Sequence, residues 1–442
     1  MEKIEKKLLA GAATLDITPG ESQFLYGYPF VERMSTVVHD CLLSSALYLT
    51  DGGTQVIFIS NDLIYISKAS VERIRKGIFE KTGVPAANIM IGATHTHSGP
   101  VTVDCVVSIN DPVVPKVNKE YLEYMEKQTI QAACDAFDRA VLAEAGFFKA
   151  DGTGIGTNRH DPLGPADMDI PVMVIRQLER KSFIACMLVC SMHPTVLHED
   201  STLYSGDFPS FAREIIQKKY LKCGCPVVYF TGTAGNQSPR HVTKSNTFEE
   251  ARRLGGIIAN AVGEKITEGI DYLSEVSVGC LHSEVDLPKR QFPPVEQARL
   301  HRENALLQFE KLKGFSDNPQ EIRTAEVDWF GAEELLHLSV MAESNELEKY
   351  YRLCLPAEIQ IIRIASCNFV AWPGEIFVEY ALELKKKAEN TFVISLANGD
   401  LQGYIASKDA EEKGFYEASN SIFDSSGGNT LVTETLRLLN CD

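Results

Sequence analysis

Apolar residues along this chain fall into short dense runs broken by polar, glycine and proline positions. These runs alternate with longer stretches whose apolar positions recur at helical spacing. Short runs bounded by turn residues predict strands, and the 3.6-residue period predicts helices. Strands are expected at 9–19, 41–49, 56–66, 89–91, 143–149, 170–177, 183–190, 226–230 and 391–396, with 355–372 a long hairpin broken near Ser366-Cys367-Asn368. Asp51-Gly52-Gly53 supplies the turn between the second and third strands. Helices are expected at 70–81, stopped by Thr82-Gly83-Val84-Pro85, and at 208–220, 248–267 and 376–389. The clearest amphipathic helix covers 119–140, where Leu122, Met125, Ala132, Ala133, Ala136, Phe137 and Ala140 share a face and Thr129 is its polar member. Residues 289–349 break the alternation: they are rich in Glu, Leu, Lys and Arg and poor in strand formers, so they read as a helical insertion packed on the main body. There is no internal repeat, no low-complexity segment and no linker long enough to mark a boundary. The expected fold class is α/β, with mixed β-sheets covered by helices in a single large domain spanning 1–442.

Composition narrows the partners. A hydrophobic share of 44% and a charged share of 23% are those of an ordinary globular chain. The net charge of −17 argues against nucleic acid or an anionic membrane, which need clustered Lys and Arg. The start, Met1-Glu2-Lys3-Ile4-Glu5-Lys6-Lys7, is charged and precedes only a short apolar stretch, so no signal peptide is read. No run of about 18 apolar residues offers a transmembrane segment. A cytoplasmic location is expected. The eleven cysteines are scattered, and Cys223 and Cys225 are too close for a zinc knuckle, so reduced and mostly buried thiols are expected.

The candidate chemistry sits where strands stop. Ile91-Gly92-Ala93-Thr94-His95-Thr96-His97-Ser98-Gly99-Pro100 runs from a buried strand into two histidines and a break. In an extended backbone His95 and His97 point to the same side. Two such imidazoles suit a metal, or a metal ligand beside an acid/base; two satisfied histidines in a polar turn fit equally. The same order of strand, small or polar turn, then helix recurs at His193, Ser238, Glu375 and Tyr404. Two histidines from different strands with one glutamate make a common catalytic zinc set; His95, His193 and Glu375 are one such combination for Zn2+, but the sequence alone does not assign them to one metal. Zinc lowers the pKa of a bound water to about 7 and polarises a carbonyl. By themselves Tyr404 and Tyr416 also read as half-buried tyrosines, Arg159 as a surface ion-pair residue, and Glu375 as a charge at a helix N-terminus.

Thr94-His95-Thr96-His97-Ser98-Gly99-Pro100 resembles the signature of the neutral/alkaline (non-lysosomal) ceramidase family. The resemblance extends in chain order through 11–19, Asn158-Arg159, Ser191-Met192-His193, Gly235-Asn236-Gln237-Ser238-Pro239, Pro373-Gly374-Glu375-Ile376-Phe377, Gly403-Tyr404-Ile405 and Tyr416-Glu417-Ala418-Ser419. It implies that His95, His193, Glu375 and Tyr404 are zinc ligands and that His97, Arg159 and Tyr416 line the reacting centre. Ser238 would be the family's active-site serine. The implied reaction is hydrolysis of the amide between a fatty acid and a sphingoid base, by metal-activated water or by serine attack, so the implied partner is a lipid or small-molecule N-acyl substrate.

Several features depart from the family. Its members are secreted or membrane-facing and carry an additional C-terminal β-sandwich domain, neither of which is read in this chain. Asn236-Gln237 stands where the family has Asp-Val, 194–200 replaces a Gly- and Asn-rich stretch, and Val101-Thr102 replaces glycines. These positions border the expected pocket. The alternatives are an amidase or deacylase on a smaller N-acyl compound, an esterase on the same metal centre, and a non-catalytic binding protein that kept the fold.

Overall fold

The structure is a computed structural model that describes residues 7–440; the charged opening residues 1–6, Cys441 and Asp442 lie outside the described residues. Strands β1 (Leu9–Asp16), β2 (Leu43–Thr50) and β3 (Gln55–Asn61) form an antiparallel meander. Asp51 closes the turn between β2 and β3, its Oδ1 accepting the Gly53 and Thr54 N–H groups. Helix α1 (Lys68–Thr82) crosses over to β4 (Ile89–Ala93), which lies parallel to β3. The Ser67 hydroxyl caps α1, and Gly83 ends it at φ 75°. Helix α2 (Lys119–Asp138) packs its alanine-rich face on β1. The approach is close enough that a Cβ on Gly11 would stand 2.2 Å from the Ala136 carbonyl oxygen. Thr129, the polar member of that face, donates to Asn61 Oδ1 at 2.9 Å, so it is satisfied at the strand end.

Strands β5 (Val141–Asp151), β6 (Asp169–Gln177) and β7 (Phe183–Cys190) continue the sheet antiparallel. Helix α3 (Asp207–Ile215) then leads to β8 (Val227–Thr231), parallel to β7, and α4 (Phe248–Glu268) packs beside α3. The strand order is β8-β7-β6-β5-β1-β2-β3-β4, with the two-residue strand Tyr272–Leu273 also on β5. The sheet curls until its ends meet. Phe230 in β8 packs edge-on to Phe58 in β3 with ring centroids 6.3 Å apart, and a Cβ on Gly92 of β4 would lie 3.0 Å from the Phe230 ring.

A second sheet contains β9 (Val278–Val285), β10 (Ala357–Ile364) and β11 (Cys367–Ala371), all antiparallel neighbours. Beyond β11 the chain forms β12 (Glu375–Ile376) and then β13 (Thr391–Ile394), which pairs parallel with β11; β14 (Tyr404–Ile405) pairs parallel with β12. The inner faces of the two sheets share one apolar core, where Phe58 meets Phe369 at 5.6 Å. Helices cover the outside of each sheet, giving the expected α/β architecture.

Between β9 and β10 run α5 (Val295–Phe315), α6 (Pro319–Glu343) and α7 (Glu348–Cys354). After β12 come α8 (Val378–Lys387), α9 (Lys408–Lys413), α10 (Tyr416–Ser419) and α11 (Ser426–Leu439). No described helix is long and apolar enough to cross a membrane. The described cysteines are thiols, most of them buried.

Several elements escape the sequence pattern, β9 and α11 the longest of them. Strand β9 is half-exposed, so its polar residues mask the alternation. Helix α11 opens on Ser-Gly-Gly, which reads as a breaker. Gly428 is required because a Cβ there would stand 2.2 Å from the Tyr380 ring. Strand β3 also stops at Asn61 instead of running to 66, because Asp62 turns to bind a buried arginine.

Candidate active site

The loops after β4, β7, β8, β11 and β13 meet in one place. Thr231 Oγ1 donates to the Thr94 carbonyl at 2.7 Å, Ala93 N to Leu396 O at 3.1 Å, and Ser395 N to Thr231 O at 2.9 Å. The strands hold these loops rigidly while their tips stay accessible.

His95 does not sit in the extended backbone that the sequence pattern suggested; its φ is +66°. The strand ladder ends at Ala93. The His95 N–H instead donates to Leu63 O at 2.8 Å, and its Nδ1 bonds Ile64 O at 3.0 Å, both on the loop after β3. The surrounding hydrogen bonds over-determine a left-handed residue that would otherwise be strained. His95 and His97 therefore face one another through a turn rather than through the two-residue strand period, and their Nε2 atoms are 3.4 Å apart.

The third imidazole, His193, has its Nδ1 on the carbonyls of Ala234 at 2.5 Å and Gln237 at 3.1 Å. His97 places its Nδ1 on Gly27 O at 3.1 Å. A carbonyl only accepts, so all three rings carry the proton on Nδ1 and turn an Nε2 lone pair inward. The three ligand atoms lie within 4.8 Å of one another. Glu375 joins them: its Oε2 is 3.0 Å from His193 Nε2 and 3.3 Å from His95 Nε2. His95, His193 and Glu375 are all nearly inaccessible to solvent. Burial and the neighbouring imidazoles hold His97 well below its ordinary pKa, and burial lowers His193 to about 4. Burial works against the charge of Glu375, but His95 and His193 hold it well below the usual carboxylate range. An anionic oxygen facing inward lone pairs needs a shared proton or a cation. One proton satisfies one pair; a metal ion satisfies all of them. His95, His97 and His193 can therefore hold a metal ion, with Glu375 beside them.

Tyr65, which the sequence reading placed inside a strand, donates its hydroxyl to Glu375 Oε1 and leaves Oε2 for the histidines. Partners that orient a ligand in this way support metal affinity. Tyr65→Phe is expected to weaken metal binding about 10- to 100-fold. Competition with a chromogenic chelator measures it, and an unchanged affinity would remove Tyr65 from the site.

Tyr404 reaches the same place because β12 and β14 pair in parallel with Glu375 opposite Tyr404. Gly403 permits the turn before it: φ is +77°, and a Cβ there would lie 2.0 Å from Asn420 O. The Tyr416 ring lies 6.4 Å from that of Tyr404, and the Arg159 guanidinium is 5.4 Å from the Tyr404 ring centroid. Burial holds the protons on both phenols, pushing them well above the ordinary tyrosine value, with Glu375 adding to it at Tyr404 and Glu334 at Tyr416. Arg159 donates through Nη2 to Gly235 O at 2.6 Å and pairs through Nε with Glu417. Burial disfavours the Arg159 charge, but Glu417 more than compensates and keeps it above its ordinary value. Glu417, within the Tyr416-Glu417-Ala418-Ser419 segment but given no role there, is held at about 2 against burial by Arg159 and by His160.

Ser238 stands one residue beyond Gln237, whose carbonyl helps hold His193. Its hydroxyl accepts the Arg240 N–H at 3.2 Å and caps the turn Pro239–His241. Among the described residues no imidazole or carboxylate hydrogen-bonds it, so it lacks the adjacent base of an activated serine.

Beside the histidines lies an open cleft of about 720 Å3, with His97, Glu375, Tyr404 and Tyr416 on one side and Tyr26, Tyr28, Phe30, Val107 and Val114 among the rest of its wall. Buried Arg33 holds two residues of this wall, donating to His97 O at 2.8 Å and lying over the Tyr28 ring. Helix α6 covers the aromatic end: Phe30 packs on Trp329 at 6.0 Å and Phe330 at 5.5 Å.

The signal for Tyr65 was present in the sequence. Asn61-Asp62 interrupts a run of strand formers, the same break that marks the other strand ends.

The fold is shared with solved structures. Neutral ceramidase from Pseudomonas aeruginosa superposes with a TM-score of 0.74 at 16% identity, over 98% of this chain and 74% of that one. A ceramidase complexed with C2 gives a TM-score of 0.74 at 14% identity, with the same coverage of each chain. At such identities the likeness establishes the fold. No family model matches the chain.

Proposed function

We propose that this chain, which has the neutral ceramidase fold, belongs to that family and is a zinc-dependent hydrolase of linear amides. One observation carries the reading: three inward Nε2 atoms and the Glu375 carboxylate converge at strand ends beside an aromatic-lined cleft. In this reading His95, His193, Glu375 and Tyr404 hold the ion. Bound Zn2+ supplies Lewis acidity, lowering the pKa of a water to about 7 and polarising a carbonyl.

The remaining roles belong to side chains of the cleft. His97 is neutral with a free Nε2, so it takes a proton from the attacking water and returns it to the leaving amine. Tyr416 keeps its phenolic proton and donates a hydrogen bond to the developing oxyanion, a contribution typically worth about 2.7–4 kcal/mol. Arg159 keeps its charge through Glu417 and adds a positive field from behind Tyr404. The capping bond of the Ser238 hydroxyl favours water over serine as the attacking group.

The substrate class is an N-acyl compound whose acyl chain lies against the aromatic wall. The test is hydrolysis of a long-chain ceramide, a panel of short N-acyl compounds and matched esters. Chelation is expected to cut amide turnover at least about 100-fold and stoichiometric Zn2+ to restore it. Turnover of esters alone would assign an esterase. No turnover of any amide by metal-loaded protein would overturn the reading.

A further inference from the structure

The cleft holds a feature that amide hydrolysis does not use. Glu334, on α6, lines it, is only 7% exposed, and no hydrogen-bond partner meets its Oε2. Such a group costs free energy in a folded core unless a ligand satisfies it. Asp111 lines the same cleft and is electrically coupled to Glu334. Asp111 is fixed as an acceptor, taking the Phe30 N–H on Oδ2 at 2.6 Å and the Val113 N–H on Oδ1 at 3.0 Å. Among the described residues that line the cleft there is no lysine or arginine to balance these carboxyl groups. Instead, aromatic rings including Phe30 and Tyr416 stand around them, a surface that favours a cation. The placement of Glu334 is not accidental: Gly331, one turn earlier on α6, packs on Tyr416, and a Cβ there would lie 3.4 Å from the Tyr416 Cα.

We infer that Glu334, with Asp111, forms a cation-accepting subsite, so that the substrate is an N-acyl compound carrying an aliphatic ammonium group away from the scissile amide. The inference rests on the amide-hydrolase reading for the scissile bond, but the subsite stands on its own geometry. Burial and Asp111 push the Glu334 carboxyl well above its usual range when no cation is present. An arriving ammonium supplies the missing counter-charge and the missing donor together.

The test compares N-octanoylcadaverine with the neutral, similarly shaped N-octanoylhexylamine on the zinc-loaded protein. The wild type is expected to favour the cationic substrate at least about tenfold in kcat/KM, and Glu334→Gln to bring the ratio near one. A ratio near one in the wild type, or a ratio retained in a folded Glu334→Gln, overturns the subsite. Calorimetric binding of hexylammonium against hexanol separates the two readings. If no amide is turned over, the hydrolase reading fails. A Glu334-dependent preference for the ammonium still supports the subsite, and equal binding of the two probes overturns it.

Discussion

Glu375→Gln is expected to leave a folded protein that neither retains zinc nor hydrolyses amides. The substitution keeps the shape of the side chain and exchanges an anionic oxygen for a neutral amide. In the native site Oε2 lies 3.0 Å from His193 Nε2 and 3.3 Å from His95 Nε2, all three atoms acceptors once the rings are protonated on Nδ1. A glutamine NH2 can donate to those lone pairs, so the buried contacts are satisfied without an ion and the fold persists. The cation loses the one carboxylate among its ligands, leaving two imidazoles and Tyr404, and with it the driving force for site-selective binding. Metal content is expected to fall below about a tenth of an ion per chain, and turnover at least about 1,000-fold. Elemental analysis and initial rates read the two effects, and a melting curve confirms the fold. A folded variant that still carries one zinc per chain would sink the metal assignment.

Asp62→Ala should be among the most destabilising single changes in the molecule. Asp62, at the end of β3, is fully buried and meets the guanidinium of Arg213, itself 3% exposed, through two bonds of 2.9 and 2.5 Å. It also accepts the Leu43 N–H at 2.9 Å and the Thr94 hydroxyl at 3.1 Å. Removing the carboxylate strands a charge in the core, which costs about 3–5 kcal/mol. The shift of the urea midpoint at unchanged slope reports it. The double change Asp62→Ala with Arg213→Met should recover part of the loss, because the unpaired charge goes too. A midpoint shift equivalent to less than about 1 kcal/mol would show that water or another side chain replaces Asp62. Thr94 directly precedes His95, so the same variant should also bind metal less tightly.

The motifs named a fold, and that fold is the one found. His95, His193 and Glu375, far apart in sequence, stand together, with Glu375 Oε2 3.0 Å from His193 Nε2 and 3.3 Å from His95 Nε2. Tyr404 stands opposite Glu375 by strand pairing, and Tyr416 and Arg159 gather around its ring. Ser238 follows Gln237, whose carbonyl meets His193, and its own hydroxyl caps a turn. Tyr65 and Glu334 escaped notice for different reasons. Tyr65 was absorbed into an apolar run, and Glu334 lies on a helix whose composition reads as solvated.

Hydrophobic periodicity alone determined most strands and helices, because it depends on neighbours within a turn or a pleat. The order of small, polar and glycine residues after each strand likewise marked where chemistry would sit. Only the tertiary structure decided that His95 takes a left-handed backbone, that the sheet curls to bring β8 against β4, and that α6 carries an unpaired carboxyl into the cleft. Each of these depends on hydrogen bonds or contacts between segments distant in the chain, such as His95 with Ile64 or Thr231 with Thr94, and no local pattern encodes such a partner.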